Sequence, residues 1–127
     1  MRIEDYDSVC DVTKPADIEA ALGKRHGVGI NSFWLSHAAE EFPAINIMVK
    51  GDRAYVHYFP KDREPGFASV AKVPGPRPNE TSIFFVRRTE KVWVLNGAVI
   101  PFSDALKAAQ EFSISATMPK CIHWFEL

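Results

Sequence analysis

The chain has 127 residues, 46% hydrophobic and 24% charged, with a formal net charge of −1. That length predicts one domain spanning 1–127, burying roughly two thirds of its unfolded surface without a disulfide or metal staple. The near-neutral balance argues against nucleic acid or an anionic membrane as the main partner, and with no apolar signal core or membrane-length run the chain is expected to remain in the cytoplasm.

Residues 1–19 carry six acids against Arg2 and Lys14, a local net charge of −4. They lead into Ser8-Val9-Cys10-Asp11-Val12, which predicts one short strand with Val9 and Cys10 inward. Thr13 is placed to cap a helix, Pro15 suits its first turn, and Ile18, Ala21 and Leu22 share a face; Gly27 and Gly29 are expected to end it. Residues 32–38 alternate as a strand, with Phe33, Leu35 and His37 on one side and Trp34 and Ser36 on the other. Ala39-Glu40-Glu41 is expected to turn.

The strongest local signal follows. Two alternating runs flank Gly51-Asp52, which predicts a β-hairpin pairing Lys50 with Arg53, Val49 with Ala54, Ile47 with Val56 and Ile45 with Tyr58. One face is then apolar (Ile45, Ile47, Val49, Ala54, Val56, Tyr58). The other is aromatic and polar together (Asn46, Met48, Tyr55, His57, Phe59).

Residues 60–82 hold five of the nine prolines, so regular structure there is limited to a short strand around residues 67–73. Residues 81–88 and 91–95 predict a second hairpin around Thr89-Glu90. Their nearly continuous hydrophobic runs predict mid-sheet strands covered in part on both faces. Ser103 is placed to cap a helix reaching about Ser113, with Phe102, Leu106, Ala109 and Phe112 inward. Residues 122–127 predict a closing strand with Ile122, Trp124 and Glu126 on one side. The sum is an α+β fold: a mostly antiparallel, curved sheet of about six to seven strands with two helices packed on one face.

No catalytic constellation has a specific spacing. His26, His37, His57 and His123 are scattered, and no P-loop, dinucleotide fingerprint or Gly-x-Ser-x-Gly occurs, so no catalytic residue, metal or cofactor is predicted. Cys10 and Cys121 read as free buried thiols. Adjacent Glu40 and Glu41 read as solvent-facing.

Three stretches share order and spacing with one family: Phe42-Pro43-Ala44-Ile45-Asn46-Ile47 with the Gly51-Asp52 turn and Ala54-Tyr55-Val56-His57-Tyr58; the helix ending in residues 105–112; and Pro119 followed by Trp124-Phe125-Glu126-Leu127. Over residues 31–127 the chain resembles immunity proteins of bacterial polymorphic toxin systems, in the group that neutralises toxins with cytidine-deaminase-like domains, double-stranded-DNA deaminases among them. Residues 1–30 match only as a loose strand plus helix. The resemblance implies a cytoplasmic, non-enzymatic inhibitor that occludes the active site of a deaminase-type toxin, as a monomer in a one-to-one complex. A nucleic-acid deaminase presents a basic surface and a base pocket, so its inhibitor should offer acids and aromatic side chains. The expected contact set is Tyr55, His57, Phe59, Asp62, Glu64 and Phe67, with the acids of residues 4–11 as a second source. The alternative is a small-molecule-binding α+β module or a small pocket enzyme, which a deep apolar pocket with convergent polar groups would favour.

Overall fold

The computed structural model describes residues 1–37 and 40–127. In chain order the elements are β1 (Arg2–Glu4), β2 (Val9–Asp11), α1 (Pro15–Leu22), β3 (Ile30–Ser36), β4 (Ala44–Lys50), β5 (Arg53–Phe59), β6 (Phe67–Val70), β7 (Thr81–Arg87), β8 (Glu90–Leu95), a 3-10 turn (Asn96–Ala98), β9 (Ile100–Pro101), α2 (Phe102–Ser115) and β10 (His123–Glu126). Eight strands form one antiparallel sheet in the order β10-β6-β5-β4-β3-β1-β2, with β9 also pairing to β5. This is the expected α+β architecture with two helices.

The β4–β5 hairpin has the register read from its turn: Lys50 faces Arg53, Ile47 faces Val56 and Ile45 faces Tyr58. Side chains alternate across a strand, so one face of the pair buries Ile45, Ile47, Val49, Ala54, Val56 and Tyr58. Against that face pack Ile18, Ala21 and Leu22 of α1 and Ala105, Ala108, Ala109 and Phe112 of α2. Full burial of a Val, Leu, Ile or Phe side chain contributes roughly 1.5–3 kcal/mol, so this layer dominates stability. His37 joins it, donating from Nε2 to the Phe112 carbonyl at 3.0 Å.

Several expectations need correction. The amino terminus makes two strands, because the Asp5 carboxylate accepts bonds from the Asp7 and Ser8 amides at 2.9 and 2.8 Å and folds the chain back; Val9 is consequently exposed. Neither helix takes its expected side-chain cap: α1 starts after Lys14 and α2 after Pro101, and α1 stops at Gly23 rather than at Gly27 or Gly29. The strand at 32–38 is Ile30–Ser36, and Ala38 and Ala39 lie outside the described residues. Cys10 and Cys121 are free thiols but only half-buried.

The largest correction concerns the second hairpin. β7 and β8 are not mid-sheet; they form a separate two-stranded sheet that turns at Arg88-Thr89. Phe84 and Val94 pack down with Met48 and Val99 onto the main sheet's other face, while Trp93 and Leu95 stay 62% and 55% exposed. A continuous apolar run therefore has one covered and one open face here. The main sheet lies between two helices on one side and this hairpin on the other.

Candidate partner-binding surface

The hairpin of β7 and β8 covers only part of the outer sheet face. Cross-strand pairing places Trp34 beside Asn46, Asn46 beside His57, His57 beside Ala68 and Ala68 beside Phe125. Met48 and Tyr55 lie one step along, toward the covering hairpin, and Phe59 one step away from it.

Aromatic rings run along the uncovered part. Trp34 meets Phe42 edge-on at 6.5 Å and Phe59 at 5.3 Å. His57 stacks on Phe59 at 3.9 Å, with its ring plane 14° from parallel. Tyr55 meets His57 edge-on at 6.3 Å. Trp34, Phe42, Tyr55, His57 and Phe59 are all half-buried. Offset and edge-on pairs of this kind contribute roughly 0.5–1.5 kcal/mol each beyond area burial, so the rings hold one another in place while presenting a common surface. Burial lowers the His57 pKa, and the bond it donates to the Pro65 carbonyl offsets this only in part. That bond is 2.6 Å long.

The same bond ties the aromatic row to the loop at 61–65, whose residues are all exposed. The loop closes at Gly66, where φ is +78° and a Cβ would sit 2.1 Å from the Tyr58 carbonyl oxygen; only glycine lets β6 return this closely to β5. Asp62 pairs with Arg63 at 4.0 Å with both side chains mostly exposed, a contact worth little. Glu64 has no ion pair among the described residues.

Of the six sequence-derived residues, His57 and Phe59 lie on the open face and Tyr55 at its border under the second hairpin. Asp62 and Glu64 occupy the adjoining loop. Phe67 is set apart: it pairs with Tyr58 and turns toward the helix side, its ring 6.3 Å from that of Tyr58. Trp34 and Phe42 belong to the surface and were not among the six. The alternation of residues 32–38 sets Trp34 opposite Phe33 and Leu35, but which side faces out, and beside which neighbours, depends on the β3–β4 pairing.

The acids of residues 4–11 are largely engaged within the molecule. Asp5 holds its own turn and lies 3.7 Å from His26 Nε2, which has no hydrogen-bond partner among the described residues. Burial pushes the Asp5 carboxyl up, but bonds from the Asp7 and Ser8 amides, the Ser8 hydroxyl and Asn31 outweigh it and hold the pKa at about 2. Asp7 pairs with Arg88 and lies 3.5 Å from His26 Nδ1. The Tyr6 hydroxyl donates to the Phe85 carbonyl at 2.6 Å. Together these contacts fasten the β1–β2 turn to the β7–β8 hairpin.

Among the described residues no three His, Cys, Asp or Glu side chains are placed to hold a metal. Burial and the Glu111 carboxylate push the Cys121 thiol pKa up, the wrong direction for a nucleophile. What the surface offers is aromatic area and loop carboxylates.

The model of the family described as Immunity protein Imm1 matches residues 7–126. Comparison with curated proteins finds no match. With nearly the whole chain matched, this protein belongs to the Imm1 family of immunity proteins, which neutralise a cognate toxin.

Proposed function

We propose that this immunity protein inhibits a deaminase-type toxin by laying its aromatic sheet face and the loop at 61–65 over the toxin's nucleic-acid cleft. The observation that carries the reading is the uncovered row of Trp34, Phe59 and His57, locked ring to ring and joined through Pro65 to a loop bearing Asp62 and Glu64. A deaminase holds phosphates with basic groups and its target base in a pocket. Loop carboxylates complement the first and aromatic side chains fit beside the second. The chain's resemblance to inhibitors of deaminase toxins supports the toxin class, and a one-to-one complex in the cytoplasm suits an inhibitor with one such face. No helix of the described residues is long and apolar enough to cross a membrane. A small-molecule site would need convergent polar groups in a cavity, and the face instead presents a row of rings.

The test is Asp62→Lys combined with Glu64→Lys. Both side chains are exposed, so folding should be unaffected, while the reversed charges meet the toxin's phosphate-binding groups. Calorimetry should show roughly tenfold or greater weakening of toxin binding, since each 1.4 kcal/mol is tenfold, with deaminase activity returning. A double variant that protects as well as the parent removes this loop from the inhibitory surface.

A further inference from the structure

Half of the chain's large exposed hydrophobic side chains lie around one groove. Of the eight that are exposed among the described residues, Trp93 and Leu95 of β8 and Phe125 and Leu127 at β10 line a trough of about 400 Å³ floored by Ala68 and Val70. Natural sheets blunt their open edges with charge, proline, bulges or a covering element. β10 ends the main sheet, and the one blunting charge on its four residues beyond His123 is Glu126.

The bonding of that edge follows from the ladder. Leu127 donates its amide to the Gly66 carbonyl at 2.9 Å, and His123, Phe125 and Leu127 therefore turn their amide groups toward β6, as alternation in an antiparallel pair requires. Trp124 and Glu126 turn theirs outward, away from the sheet. Glu126 is exposed and has no ion pair among the described residues. An open edge calls for extended backbone, the exposed Phe125 and Leu127 side chains for apolar neighbours, and the unpaired carboxylate for a cation.

We propose that β10 is a docking edge for an extended segment of the toxin, which adds to the main sheet as a further strand with apolar side chains opposite Phe125 and Leu127 and a basic one opposite Glu126. This rests on the reading that the toxin covers the outer sheet face. The edge is continuous with that face, because Phe125 pairs with Ala68 and Ala68 with His57. Main-chain bonds supply the affinity of strand addition and alternate side chains its specificity.

The decisive experiment is amide hydrogen exchange on the intact protein, free and bound to its cognate toxin domain, with Glu126→Pro and Glu126→Lys measured alongside. Proline at 126 removes only an outward N–H and spares both neighbouring bonds to β6. Exchange at Trp124 and Glu126 should slow roughly tenfold or more in the complex, whereas Phe125 and Leu127, already bonded, change little. Each variant should bind the toxin domain roughly tenfold more weakly, the effect of about 1.4 kcal/mol. Unchanged exchange at Trp124 and Glu126 overturns the proposal, and so does a folded Glu126→Pro protein with parental affinity. If the proline variant misfolds, exchange on the parent decides alone. Slow exchange at both residues in the free protein, with a dimer by light scattering, overturns it in favour of a second copy as the occupant. The loop and the edge fail separately: the Asp62/Glu64 reversal reports on the first, exchange at β10 on the second.

Discussion

Ser69→Ala tests how the sheet is joined at the place where function is proposed. The β5–β6 ladder pairs His57 with Ala68 and Tyr58 with Phe67, then stops. Val56 would be the next residue to bond, and its amide instead donates to the Ser69 hydroxyl at 3.0 Å. The same hydroxyl donates to the Ala98 carbonyl at 2.8 Å. Ser69 is 0% exposed and Val56 is 0% exposed, so water cannot readily replace the lost oxygen. A buried group left without its partner costs roughly 1–3 kcal/mol; with the amide fully buried and the carbonyl partly so, the variant should lose about 2–4 kcal/mol. Urea unfolding should show this as a lower midpoint at an unchanged slope. Because Ser69 also pairs with Trp124, the loss should be accompanied by faster amide exchange along β10. A decrease below about 0.5 kcal/mol would refute the reasoning, since it would mean the two backbone groups find other partners.

Two further expectations concern the fold. Val56→Asp places an unpaired carboxylate opposite Ile47 in the helix-covered core and should cost about 4 kcal/mol or more; a thermal melt matching the parent's would show that the hairpin register is wrong. Asp5, held at about 2 in the folded state against 3.8 ordinarily, contributes stability that is fully present above its unfolded pKa and is lost as pH falls through the folded value. Asp5→Asn should therefore be less stable than the parent near pH 6 by on the order of 1–2 kcal/mol, allowing for partial solvent screening. The gap should narrow between about pH 4 and 2, and a pH-independent gap in denaturant titrations would rule out the carboxylate as its source.

The parts of the fold legible in the sequence are those fixed by local chemistry. Gly51-Asp52 between alternating runs determined the β4–β5 register, and with it which side chains entered the core. Where an element's environment depends on distant partners, the pattern was ambiguous. The run from Val92 to Leu95 has the same composition whether both faces are covered or one is open, and the structure leaves Trp93 and Leu95 open. Residues 4–11 looked like a charged segment because composition does not reveal that Asp5 accepts its own turn's amides. The site divides the same way. Period-two alternation placed His57 and Phe59 together, but the face taken by Phe67 depends on how the loop returns through Gly66, which is a matter of pairing across the loop rather than of local sequence.

The loop at 61–65 is well suited to contact because it is held at both ends, which lowers the cost of ordering it on binding. Pro60 and Pro65 restrict the backbone at its two ends, Gly66 takes the one conformation that brings β6 against β5, and His57 holds Pro65 from below. His57 is in turn fixed by its stack on Phe59, and Phe59 by Trp34. Ordering a free loop costs roughly 1–2 kcal/mol per residue, a penalty that would erase much of the gain from a few carboxylate contacts. Asp62 and Glu64 thus stand on a loop braced at both ends above a row of packed rings, whereas Asp5 is already committed to the Asp7 and Ser8 amides and Asp7 to Arg88. This difference in available charge, more than the number of acids in either segment, is why the loop and not the amino terminus is proposed to meet a basic cleft.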